Sequence, residues 1–196
     1  MKTLLIATKN IGKLREIKQL FSGTSFKLVS LVEIGKNIKV EETGKTFEEN
    51  AILKAKTIGM KTGMAALAED SGLEIDAIGG KPGIYSARYT GGSDMDRVNK
   101  ILEDLRGVPK NRRTARFITV MAFYDPTNHK LSTFRGVSEG YITDVPKGTN
   151  GFGYDPIFFN PELGKTNAEV SLEEKNKVSH RARALFQVRN FLSKLK

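Results

Sequence analysis

The sequence predicts an α/β fold, a mixed sheet flanked by helices, built as one domain or two closely joined lobes with a cleft between them. Three observations predict it. Short apolar runs alternate with helical-period stretches through the first half, the pattern of strands linked by helices. The second half is dominated by β-type runs broken by turn residues, which adds antiparallel pairing to a parallel sheet. A chain of 196 residues with 39% hydrophobic content can also bury a sizeable core. No repeat or low-complexity linker divides it, so 1–196 is read as a single domain with two lobes.

Residues 3–8 form a short apolar run and predict the first strand, with Leu14, Ile17, Leu20 and Phe21 at helical spacing behind it. Between them lies Thr8-Lys9-Asn10-Ile11-Gly12-Lys13, a tight polar turn leading into a helix start. Such a turn aims backbone N–H groups and a positive helix dipole at an anion, although the Walker spacing is absent and an ordinary β-to-α connection reads equally well. Residues 26–31 predict a second strand. Thr46-Phe47-Glu48-Glu49 matches a capping box that opens a helix over 47–61, whose stripe is Phe47, Ala51, Ala55 and Ile58 and which Gly63 ends. Lys54 falls off that stripe, so its default is a solvated lysine, as it is for the acidic pair Glu41 and Glu42.

The apolar run 64–68 meets Glu69-Asp70-Ser71-Gly72, which reads as a strand end delivering carboxylates to the rim of a sheet, or as a hairpin turn. Residues 73–78 continue as strand and break into the Gly- and Pro-rich loop 79–88. Ser93 caps a helix over 94–106, with Val98, Ile101, Leu102 and Leu105 as its stripe. Residues 114–124, 130–135 and 137–143 predict three antiparallel strands, and the basic cluster Lys110, Arg112, Arg113 and Arg116 ahead of them reads as a solvated loop. Ser171 to Glu174 forms a second capping box. Ser179 then caps a last helix that puts His180 and Arg181 in its first turn, where cations oppose the helix dipole. Either they serve function, or the arginine is paired with a nearby Glu.

Composition excludes several chemistries. No Cys means no disulfide, thiolate nucleophile or Cys-based zinc site, and His129 and His180 are too few for a His-rich metal site. Any metal is then a hard, oxygen-ligated one. The apolar run 4–7 is too short for a signal-peptide core or a membrane span, which reads as a soluble cytoplasmic protein. A net charge of +10 suits nucleic acid or a polyanionic small molecule. In 148–156, Phe152 stands between Gly151 and Gly153, where a flat ligand could approach the ring to stack on it; an anchored loop is the alternative.

Taken together, Thr8-x-Asn10-x-x-Lys13, Glu42-Thr43-Gly44-x-Thr46-Phe47-x-Glu49-Asn50-Ala51, Asp70-Ser71-Gly72-Leu73, the loop 79–88, Gly151-Phe152-Gly153-Tyr154-Asp155-Pro156 and Ser179-His180-Arg181 resemble the inosine triphosphate pyrophosphatase family over nearly the whole chain. The resemblance implies an elongated, two-lobed homodimeric protein with a twisted central sheet, which uses Mg²⁺ to hydrolyse ITP, dITP and XTP to the monophosphate and pyrophosphate. It implies that Thr8, Asn10, Lys13 and, more weakly, Lys54 hold the phosphates and that Ser71 lines their site. Glu42 and Asp70 serve the metal, with Asp70 also the base for water. Phe152 stacks the base, with Gly153, Tyr154, Asp155, Lys175, His180 and Arg181 around its edge and the ribose. Donors such as Arg181 or main-chain N–H groups near His180 would favour a 6-oxo over a 6-amino purine. The alternatives are a pyrophosphatase for other modified nucleotides and a basic single-strand-binding module, which would leave Glu42 and Asp70 unexplained.

Overall fold

The computed structural model describes residues 2–195. Its strands form a seven-stranded mixed sheet in the order β2-β1-β3-β4-β5-β6-β7, with helices flanking it. The residues divide into two compact units, one comprising the chain up to Asp70, Thr119–Gly136 and the segment from Arg181 on, the other Ser71–Ile118 and Val137–His180. Among the described residues no helix is long and apolar enough to cross a membrane.

In the first unit, β1 (Lys2–Ile6) runs parallel to both β2 (Phe26–Ser30) and β3 (Ala66–Ile75), with Ile6 level with Leu67. Side chains alternate along a strand, so Leu4, Ile6 and Leu67 share one face and Leu5 the other. The first face packs on Ile17 of α1 (Ile11–Leu20), on Phe21 just past its end, and on Ala184, Leu185 and Val188 of α5 (His180–Leu192). Helix α2 (Phe47–Thr62) buries Phe47, Ala51, Ala55 and Ile58 as its spacing requires. It stops at Gly63, whose φ of 68° suits a residue without Cβ. Thr46 caps it, accepting the Glu49 N–H, but the reciprocal half of the box is redirected: the Glu49 carboxylate accepts the N–H of Lys45 instead.

The second unit closes around α3 (Asp94–Asp104). Its Ser93 cap forms a complete box with Asp96, and its Val98 and Ile101, with Leu105 just beyond, are wholly buried. Each such side chain contributes about 1.5–3 kcal/mol of burial. They pack on Leu73, Ile75, Ala115, Phe117, Ile142, Ile157 and Phe158. The short α4 (Leu172–Val178) opens with the expected box, Ser171 paired with Glu174.

Three expectations change. β3 does not end at Asp70: it runs unbroken through Asp70-Ser71-Gly72, and Gly72 is not among the glycines with positive φ. Both carboxylates find partners beside the strand, so no turn is needed to satisfy them. Residues 130–135 and 137–143 are one strand, β5 (Lys130–Ile142), because Gly136 stays extended and pairing continues past it. It lies next to β4 (Thr114–Asp125) in the sheet, with a connection too short for a crossover. The basic cluster is likewise not a free loop, since Lys110 and Arg113 pair with Asp144, and Arg116 with Asp76 and Glu139.

Candidate active site

The first unit gathers the chemistry-bearing residues around β3. Because successive residues face opposite ways, Glu69 meets α1 and α5 while Asp70 meets α2. Asp70 Oδ1 accepts Lys54 Nζ at 2.9 Å, and the same ammonium reaches Glu42 Oε1 at 2.8 Å. Lys54 is therefore not solvated; its side chain is 12% exposed. Two carboxylates converge on one cation position, now filled by an ammonium.

Asn50, which sequence reasoning left without a role, holds this arrangement. Wholly buried, it donates Nδ2 to Asp70 Oδ2 at 3.3 Å and accepts the Gly44 N–H on Oδ1 at 2.8 Å, tying the loop that carries Glu42 to the strand that carries Asp70. Gly44 has to be glycine for this contact, since a Cβ there would stand 2.7 Å from Asn50 Oδ1. The available signal was an Asn one place before Ala51 on a helix face that is otherwise apolar.

Burial is the largest influence on Asp70 and pushes its carboxyl above the ordinary value, against the pull of Lys54. Burial works against the Lys54 charge too, but attraction to Asp70 and the bonds to Glu42 and Asp70 outweigh it and raise that ammonium.

On the other face, Glu69 Oε2 and Oε1 accept Arg181 Nε at 2.8 Å and Nη2 at 2.9 Å, and Oε1 also receives Lys13 Nζ at 2.9 Å. Arg181 Nη1 donates to Glu16. Burial opposes the Glu69 charge, yet Arg181 and Lys13 hold the carboxyl well below its usual range. Arg181 is thus paired with nearby glutamates, the competing account of its place in the first helical turn. Thr8 and Asn10 shape the turn before α1: Thr8 Oγ1 accepts the Asn10 N–H at 3.1 Å, and Asn10 Oδ1 caps the helix on the Lys13 N–H at 3.0 Å. That capped turn, not a glycine-rich loop, opens the helix.

The second unit holds the aromatic loop. Asp155, buried, accepts the Phe152 N–H at 3.0 Å and Lys175 Nζ at 2.6 Å on Oδ2, and Asn167 Nδ2 at 3.1 Å on Oδ1. Gly151 has φ 77°, and a Cβ on it would lie 2.2 Å from Asp155 Oδ2, so this glycine makes room for the carboxylate. The Lys175 ammonium lies 5.2 Å from the centroid of the half-buried Phe152 ring. Gly153 donates its N–H to Asp94 Oδ2 at 2.6 Å, a support that no sequence signal singled out. Tyr154 turns into the core and donates its hydroxyl to the Ser86 carbonyl at 2.8 Å. The His180 ring stacks on Phe117 at 4.8 Å and is buried. Ser71 lies within β3, half-buried, directly after Asp70.

The pattern that defines the Ham1 family matches residues 4–191. A protein named dITP/XTP pyrophosphatase from Bacillus licheniformis is 50% identical over 187 residues, covering 94% of this chain and 95% of that one. Its namesake from Geobacter sulfurreducens is 50% identical over 194 residues, 98% of this chain and 97% of its own. The solved Ham1 protein of Staphylococcus aureus superposes with a TM-score of 0.88 at 41% identity, covering 100% of both chains. A HAM1 protein from Coxiella burnetii gives 0.89 at 41% identity over 99% of this chain and 100% of its own.

Proposed function

The chain belongs to the Ham1 family, and on that premise we propose that it hydrolyses deaminated purine nucleoside triphosphates, dITP, XTP and ITP, to the monophosphate and pyrophosphate. The relatives named above carry the activity in their names. The observation that carries the reading for this chain is the buried Asp70, raised in pKa and bonded to Lys54 beside Glu42. A carboxylate so placed suits a general base for water.

Asp70 would orient and deprotonate the water that attacks the α-phosphorus. Lys13 and Lys54 would neutralise phosphate charge, with Thr8, Asn10 and Ser71 completing the phosphate contacts. Mg²⁺ is proposed as the cofactor, held by Glu42 and Asp70. The fit rests on two hard oxygen donors within 3 Å of a single cation position. Among the described residues no three acidic or imidazole groups cluster to hold a metal, which accords with an ion that takes most of its ligands from water and substrate phosphates. When bound, it supplies charge neutralisation at the phosphates.

The base is assigned to the second unit, with Phe152 stacking it and Gly153, Asp155, Lys175 and His180 around it. Main-chain N–H groups near His180 would serve a 6-oxo group, which rejects ATP because its amino group offers no acceptor. The single domain, the homodimer and a cytoplasmic setting belong to the same proposal.

Pyrophosphate release from dITP, XTP, ITP, ATP, GTP and dTTP, each with and without Mg²⁺, tests it. Preference for the deaminated purines with a metal requirement is the expected pattern; equal rates on ATP, or none on any, would refute the assignment.

A further inference from the structure

Glu69 is a buried carboxylate next to the base that the proposed reaction does not use. It sits in a chain of alternating charge: Lys13 on α1, Glu69 on β3, Arg181 on α5 and then Glu16, one helical turn after Lys13 on α1. From this geometry we infer that Glu69 is a positioning residue that fixes the Lys13 ammonium for the triphosphate, an inference that rests on the phosphate role given to Lys13 above.

A lysine three residues into a helix faces the positive end of the dipole, so its own helix gives it no reason to be held there. Its four-carbon stem is also flexible, and an unrestrained ammonium spreads its charge over many positions. Glu69 removes both problems. It takes Lys13 Nζ at 2.9 Å, with the Glu69 side chain 2% exposed and that of Lys13 18%. The anchor is thus inside and the ammonium towards solvent, where N–H donors not turned to Glu69 can meet an anion. Glu69 is itself locked: Arg181 grips both of its oxygens, and Glu16 holds Arg181. Two acids and two bases leave the chain of pairs neutral, so the restraint is obtained without a net buried charge.

Loss of a positioning residue affects the reacting complex more than ground-state binding, so kcat should fall while KM for dITP changes less. The test is a double-mutant cycle. Glu69→Gln should lower kcat about tenfold with Lys13 present and about twofold or less in a Lys13→Met background, because groups acting through one another are not additive. The same fold-loss in both backgrounds, or no loss with Lys13 present, would overturn the inference while leaving the enzyme assignment standing. A Lys13→Met variant with unchanged kcat and KM would instead remove Lys13 from the phosphate site, and this inference with it. Thermal unfolding accompanies each variant. Should Glu69→Gln fail to fold, Glu69→Asp, which keeps the charge on a shorter arm, carries the same cycle with the same criterion: a kcat loss confined to the Lys13 background.

Discussion

Replacing Arg181 by Met keeps most of the side-chain stem and removes the charge, so it isolates what the guanidinium does. In the native protein the side chains of Arg181, Glu69 and Glu16 are 2%, 2% and 3% exposed. Removing one member of a buried ion pair costs about 3–5 kcal/mol, since the partner charge stays behind without compensation. Here two carboxylates stay behind with Lys13 to offset them. For a chain of this size roughly 2–4 °C of melting temperature is lost per kcal/mol, so the expected drop is about 6–20 °C at pH 7. The pH dependence has a definite sign. Glu69 has a depressed pKa in the folded protein, so its stabilisation is present above its unfolded value and is lost as pH falls through the folded one. In Arg181→Met the abandoned carboxylates are driven upward by burial and can neutralise themselves, so the gap between the proteins should narrow from pH 7 towards pH values of about 5. Thermal melts followed by circular dichroism read both effects. A drop below about 2 °C, or a gap that widens on acidification, would refute the buried-network account. If the guanidinium serves only the buried network, the ratio of ITP to ATP turnover should stay within about twofold of wild type, whereas a collapse of that ratio would make Arg181 a donor to the purine 6-position.

Asp70→Asn should nearly abolish pyrophosphate release while leaving the melting temperature at or above that of wild type, because the neutral amide spares the burial of a charge; near-normal turnover would take Asp70 out of the reaction. Glu42→Gln should raise the Mg²⁺ concentration needed for half-maximal activity, since the amide is a weaker donor to a hard ion, and an unshifted titration would leave Glu42 as a partner of Lys54 alone. Phe152→Ala should cost about 1–3 kcal/mol in kcat/KM for every purine triphosphate alike, because stacking does not read the 6-position. A penalty confined to one base would mean that the ring discriminates rather than grips.

Local signals carried the fold well where they act within a few residues. Thr46, Ser93 and Ser171 all cap the helices that their spacing announces, and Gly63 ends α2 in the left-handed region. What was not legible depends on partners far along the chain. Nothing near Asp70 indicates that the strand continues, because Lys54 and Asn50, which satisfy it, come from a helix some twenty residues earlier. The misfit of Arg181 at a helix start was visible, but its partners Glu69 and Glu16 are separated from it by 112 and 165 positions. Asp94 opens a helix whose cap was legible, but its bond to Gly153 spans 59 residues. Family resemblance supplied roles for Asp70, Lys54 and Arg181 without supplying their contacts. Tyr154 and Gly151 show the difference: one faces the core, and the other makes room for a carboxylate.

The continuity of β3 through Glu69 and Asp70 bears on how much insertion and deletion this segment can tolerate. Two neighbouring acids are pushed in opposite directions, Glu69 towards permanent ionisation and Asp70 towards easier protonation, only because each side of the strand offers a different set of cations. Shifting the segment by one residue would turn each acid to the opposite face of the strand, away from the cations that now hold it. Both acids would remain, and so would overall hydrophobicity and charge, yet base and anchor would each face the wrong side of the strand. A single-residue deletion between Ala66 and Asp70 should therefore be far more damaging than most substitutions there, while the same deletion in the solvent-facing turn 126–129 should be absorbed.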